Sequence, residues 1–402
     1  MKIKKIVKIL LLIAIVFIIF WIWLSIELNK NKIDFSEVEI DIKKTDDNFC
    51  IVENEEEFIR ALENKKIQII EIINDLDLGY NTIKSLGISS PFITKHNEAL
   101  THPVLIGTGV SKLNIDNRDG LIIYSSSGSK ILHANIIISN SENIKFENIF
   151  FDELWEWDEE TKAEYDRNDW DFFTIKNSKN IQIKNCEFGK AYDEIVSINN
   201  SINVNIEYCK LNEIDIKNNE FFNAQFAELE DNKYKYEMYR YLREECNIDI
   251  DTIKKLSFYQ FKLFLFGSKD YEGHNENIVI HDCVFQNVKT RIPMARNSSV
   301  HLYNVWVDSR NIDSQILNDN EKKLIKDKYS KLTMLDTYGI IAIQRSYVLV
   351  ENCIFEGVKF KYTSSRGFSL KNLGKIVIDN NEKNKIKNLK NSLIKSTGII
   401  EK

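Results

Sequence analysis

Lys262, Arg291 and Arg296 are the side chains of this sequence best suited to work on an anion. Lys262 opens the run KLFLFGSKD, and the two arginines bracket Pro293 in TRIPMAR, one of only three prolines in the chain. Proline has no N–H for a sheet ladder, so it marks the end or edge of a strand. Both guanidinium groups are therefore expected at a rim, where each can grip a carboxylate through paired hydrogen bonds. An Arg-x-Pro-x-x-Arg alone is a weak signal; the upstream lysine and the strand-like segments NIVIHDCVFQNV and SSVHLYN give it weight. The six histidines show no triad and no metal-ligand spacing, and no Ser-His-Asp pattern stands out.

The elements that must hold these residues are legible as a repeat. ENIKFENIFF, KNIQIKNCEF, INVNIEYCKL, ENIVIHDCVF, SSVHLYNVWV and SYVLVENCIF align without gaps. Ile149, Cys186, Cys209, Cys283, Val305 and Cys353 fall in one column, at intervals of 37, 23, 74, 22 and 48 residues. The shortest intervals give the period, and the longer ones carry inserted loops. Alternating apolar residues at this period, separated by turns containing Asn and Ser, are the signature of a β-solenoid. An inward column of small thiols suits its interior, so these cysteines are expected as buried free thiols and not as metal ligands.

Ahead of the repeat, VENEEEFIRALENKK predicts a short capping helix with Asn54 as N-cap and Phe58, Ala61 and Leu62 on its apolar stripe. IQIIEII is then expected as the first strand. Residues 212–261 predict a helical insertion whose many Phe and Tyr side chains pack its own small core or, alternatively, stack on sugar rings, and 311–331 predict a second, shorter excursion. Loops bulging from one face of a solenoid commonly build its binding surface.

The N-terminus stands apart. Lys2, Lys4, Lys5 and Lys8 precede Ile9–Ile26, an apolar run in which only Ser25 is polar. As a helix it spans roughly 27 Å, close to a bilayer core. No A-x-A cleavage pattern follows, so 1–27 is expected to be an uncleaved transmembrane anchor, with a cleaved signal peptide as the alternative, and everything beyond is expected to be exported. Residues 28–49 read as a linker, 50–360 as the β-helix domain, and 361–402 as a last rung and tail. A net charge of −6 argues against nucleic-acid binding by a basic surface.

Taken in order, NDWDFFTIKNSKNIQIKNCEF, AYDEIVSI, KLFLFGSKD and TRIPMARNSSVHLYN resemble the pectate lyase superfamily, specifically the polysaccharide lyase family of pectate and pectin lyases. The likeness runs from about residue 50 to about 360 and implies an all-β, right-handed parallel β-helix. It implies that Asp169, Asp171 and Asp193 occupy calcium-ligand positions, that Lys262 binds substrate, that Arg291 is the catalytic base and that Arg296 binds a substrate carboxylate. The sequence departs from the family at Ser197, where an Asp is usual, at Lys184 and Asn185, which replace Asp and His, and at Met294 and Ala295, which replace Arg-Leu. One carboxylate fewer is expected to weaken calcium binding, because affinity follows ligand charge and number.

The implied chemistry is β-elimination on an acidic polysaccharide, polygalacturonate, by a monomeric enzyme. The reaction removes a proton next to a carboxylate, and a hard divalent cation with basic side chains stabilises the charge that develops. Hard oxygen ligands suit Ca2+, not zinc or copper. An acidic protein also needs bridging cations and local basic residues to hold a polyanion. A glycoside hydrolase on such a fold would need a pair of cleft carboxylates as acid and base. A non-catalytic solenoid that binds polysaccharide, and a lyase for another uronate, are the alternatives.

Overall fold

The structure, a computed structural model, describes residues 13–22, 35–88, 90, 93–95, 109–157, 170–213, 215–257, 261–268, 273–288, 290–312, 317–328, 339–357, 375–378, 385–386 and 399–401. Among them the chain coils through three sheets of eleven, nine and eight strands, in which successive turns stack as parallel neighbours. One antiparallel pair, Ile93–Lys95 against Ser111–Asp116, closes the early end of the eight-stranded sheet. The pairing registers reproduce the sequence repeat. Lys179 lies opposite Glu142 and Ile202, Ile278 opposite Val204 and Val300, and Ser299 opposite Tyr347.

Two properties of the sequence make the coil. Alternation turns one residue in two toward the interior, where Phe146, Phe151, Phe173 and Phe188 are fully buried and the Phe151 and Phe173 rings meet edge-on at 4.9 Å. Burying each such ring contributes about 1.5–3 kcal/mol. The corners, in turn, need backbone in the left-handed region, which asparagine tolerates better than most residues. Asn143, Asn180, Asn203 and Asn277 all have φ between 53° and 58°. Their side chains form a ladder, each donating to the one before at 2.9 Å. Cys186, Cys209, Cys283 and Cys353 are buried, and neither they nor Cys50 and Cys246 form a disulfide.

The capping helix spans Glu55–Glu63, with Asn54 Oδ1 accepting from the Glu57 N–H and Phe58, Ile59, Ala61 and Leu62 buried. The first strand of the coil precedes it, however. Phe49–Val52 pairs with Ile69–Ile72, so IQIIEII contributes the second strand. The insertion is helical at Glu220–Asp231, Glu237–Arg240 and Ile250–Ser257. Its aromatics do not pack only on one another: Phe222, Phe226 and Tyr239 pack on Trp155 and Trp157, which follow the strand Phe150–Asp152. Lys255 bridges to Glu321 at 2.9 Å, tying the insertion to the second excursion, helical at Asp319–Lys328.

Residues 35–42, within the expected linker, lie as a strap across the outer face of the eleven-stranded sheet. Phe35 packs on His301 and Tyr347, the Ser36 N–H donates to Asn277 Oδ1 at 3.0 Å, and the Ile40 N–H donates to Gln182 Oε1 at 3.4 Å. Ile40 is buried with Ile69 and Ile122. The strap thus runs from late turns back to early ones, clamping the stack from outside. Residues 13–22 form a helix whose apolar side chains are largely exposed. No helix among the described residues is long and apolar enough to cross a membrane, and the rest of the expected anchor lies outside them.

Candidate active site

Four neighbouring strands of the eight-stranded sheet carry the site: Phe173–Lys176, Glu194–Asn199, Lys262–Phe266 and Met294–Arg296. Asp171 lies just before the first strand and Asp193 just before the second, while Glu194 and Lys262 open the second and third. Arg291 precedes the fourth, with Pro293 between, so stacking in register brings residues far apart in sequence to one sheet edge. Glu194 lies directly opposite Lys262, and the Phe264 N–H donates to the Arg291 carbonyl at 2.9 Å.

Asp171, Asp193 and Glu194 are all buried, and each offers a carboxylate oxygen within 4.8 Å of the others'. Asp171 is fixed from three sides. The Glu194 N–H donates to its Oδ1 at 3.0 Å, Thr174 Oγ1 donates to its Oδ2 at 3.2 Å, and Asn135 donates to its carbonyl. Lys262 Nζ forms an ion pair with Asp193 and lies 3.9 Å from Glu194 Oε1. Arg291 Nη1 pairs with the same Glu194 oxygen. Glu194 Oε2 is buried with no hydrogen-bond partner. Lys190, itself buried, holds its ammonium 3.5 Å from the centre of the ring of Phe261, the residue before Lys262.

Burial, then the Asp193 charge, push the Glu194 carboxyl up to about 7 against the pull of Lys262 and Arg291. Burial works to lower the Arg291 pKa, but Glu194 and Asp193 together outweigh it and hold the guanidinium above its ordinary value. Arg296 is depressed to about 10 by burial and then by the Arg291 charge. It ends its strand away from Arg291, with Nη2 3.5 Å from Met294 Sδ. Gly267 sets that position. With φ +84° it turns the chain so closely under Arg296 that a Cβ would lie 1.9 Å from the Arg296 carbonyl oxygen.

Of the residues singled out in the sequence, Asp171, Asp193, Lys262 and Arg291 converge, Arg296 lies within electrostatic reach, and Asp169 falls outside the described residues. Glu194 was missed. Its signal was the carboxylate pair Asp193-Glu194 at the start of a rung, of which only the first residue was read. Ser197 lies mid-strand, opposite Thr174 and Leu265. Lys184 pairs with Glu207 at 3.6 Å on another sheet, and Asn185 donates to Asn148 at 3.1 Å as a corner residue. Both positions therefore serve the scaffold. Three clustered hard oxygen donors, one of them buried without a partner, fit a calcium ion.

Fold and site together define a polysaccharide lyase built on a parallel β-helix. The family described as pectate lyase matches residues 172–398. Over 307 residues the chain is 38% identical to pectate lyase B of Paenibacillus amylolyticus, covering 75% of this chain and 78% of that one. A solved pectate lyase from Paenibacillus sp. 0602 superposes with a TM-score of 0.72 at 35% identity, covering 84% of this chain and 78% of that one. The chain belongs to the pectate lyase family, which sets aside the non-catalytic solenoid.

Proposed function

We propose that the site cleaves polygalacturonate by calcium-dependent β-elimination, with Arg291 as the base. The observation that carries this reading is the meeting of Asp171, Asp193 and Glu194 with Lys262 and Arg291 at one sheet edge. Asp171, Asp193 and Asp169 would hold the ion, which supplies charge stabilisation next to a substrate carboxylate. Lys262 and Arg296 bind carboxylates along the polymer. Arg291 takes the proton in its neutral form. Glu194 and Asp193 hold it charged, and a cation bound to those carboxylates, with Lys262 beside them, would lower its pKa, while its fixed approach substitutes for a mobile encounter. Arg291 is made rigid by its pairing to Glu194 and by the hydrogen bond its carbonyl accepts from Phe264.

The test is ultraviolet absorbance of the unsaturated product formed from polygalacturonate. Signal with Ca2+, abolished by a chelator and restored by added Ca2+, is the expected result. Equal signal in chelator, or none across a panel of uronates at high calcium, would contradict it.

We further propose that the N-terminal segment carries the domain out of the cytoplasm and anchors it. The lysine-flanked Ile9–Ile26 run and the exposed apolar side chains of helix 13–22 support this. Recovery of the intact chain in the membrane fraction is expected; a soluble chain lacking its first residues would indicate cleavage instead.

A further inference from the structure

Glu194 has no place in the ligand set that the resemblance implied, yet it is the most buried carboxylate of the cluster and has no exposed surface at all. Its two oxygens are in different situations. Oε1 holds Arg291 and lies 3.9 Å from Lys262 Nζ, whereas Oε2 is enclosed without a partner. A buried acceptor left unmatched costs about 1–3 kcal/mol, and more when charged, so such an atom needs a reason. Neutral Glu194 can hydrogen-bond to Asp193, but once it is ionised the Asp171 and Asp193 oxygens supply no partner, since carboxylates then have no proton to donate. A cation among the three carboxylates does.

Three residues further along the same strand, Ser197 stands where one more carboxylate was expected. We propose that Glu194 replaces that lost ligand, bridging the cation through Oε2 and Arg291 through Oε1. The inference rests on the calcium-dependent reading and adds to it a residue with two tasks. Glu194 restores the charge of the metal site, and it ties the base to the ion through one rigid side chain. The backbone supports the geometry, because the Glu194 N–H is itself hydrogen-bonded to Asp171 Oδ1 at 3.0 Å, locking the two carboxylate residues together. The site would then need no Asp at 197 to bind its ion.

The test is calorimetric titration of the full chain with Ca2+ alone, beside melting curves in chelator that check folding. Glu194→Asp is the discriminating variant. It keeps the charge and shortens the reach by one methylene, so a through-space role predicts unchanged binding and a ligand role predicts a loss. We expect Glu194→Asp and Glu194→Gln each to weaken Ca2+ binding by about tenfold or more. Adding Ser197→Asp to either variant should recover most of that loss. Wild-type affinity in Glu194→Asp would overturn the proposal while leaving the calcium-dependent reading intact. No Ca2+ binding by the wild-type chain would overturn both. Should Glu194→Gln melt below the assay temperature, the Glu194→Asp pair alone decides the matter.

Discussion

A single methyl group added at Gly267 is a sharp probe of how the coil positions Arg296. The added Cβ would lie 1.9 Å from the Arg296 carbonyl oxygen and 2.9 Å from its carbonyl carbon. Both atoms belong to the backbone, so no side-chain rotation relieves the clash. The two strands must part by roughly 1 Å or more, and misplacement on that scale costs on the order of a hundredfold in rate when it moves a substrate-positioning group. Backbone strain adds about 1–2 kcal/mol, because φ at this position is +84°. Activity and melting temperature should be measured together for Gly267→Ala at saturating calcium. A folded variant with KM for polygalacturonate strongly raised is expected if Arg296 binds substrate as proposed. Wild-type kinetics in a folded Gly267→Ala would refute the claim that this turn places the arginine.

Three further changes probe the scaffold. His133 is buried between Asp77 at 2.7 Å and Glu153 at 3.0 Å; burial opposes its charge, but these two carboxylates raise its pKa to about 9. Because the folded value exceeds the unfolded one, the stabilisation is complete below about pH 6.5 and disappears as pH rises through about 9. The difference in unfolding free energy between wild type and His133→Gln should accordingly shrink across that window, by at most about 3 kcal/mol. Ile40→Ala empties the seat of the strap and should cost about 2–5 kcal/mol in denaturant unfolding while leaving kcat near wild type, because the strap lies on a different sheet from the site. Asn180→Ala removes a ladder rung and a residue suited to φ 53°, and should lower stability by about 1–3 kcal/mol without altering calcium dependence.

The coil was legible because its physics is periodic. A column of apolar and thiol side chains at fixed intervals can arise only if each turn stacks on the last, and the registers obey those intervals. The site was legible in part for a related reason. Asp171, Asp193, Lys262 and Arg291 each stand at or just before the start of successive strands, so aligning the rungs aligns the chemistry. Glu194 escaped notice because strand alternation says little about the first residue of a strand, where either neighbour of a carboxylate pair can turn inward. The strap was hidden by its lack of pairing. Val38, Ile40 and Ile42 alternate as a strand would, yet the backbone of residues 35–42 bonds to side chains of the sheet and not to its ladder, and so leaves no trace in the repeat. The early strand Phe49–Val52 is four residues long beside an acidic stretch, too short to separate from a linker by pattern.

The most direct test of the account is the initial rate of unsaturated-product release by Arg291→Ala and Arg291→Lys at saturating Ca2+. The account predicts that both variants fold, bind Ca2+ and lose at least about a hundredfold in kcat, as expected when a group that moves a proton in the transition state is removed. Either variant turning over polygalacturonate at the wild-type rate would show that the proton goes elsewhere, and the assignment of Arg291 would fall.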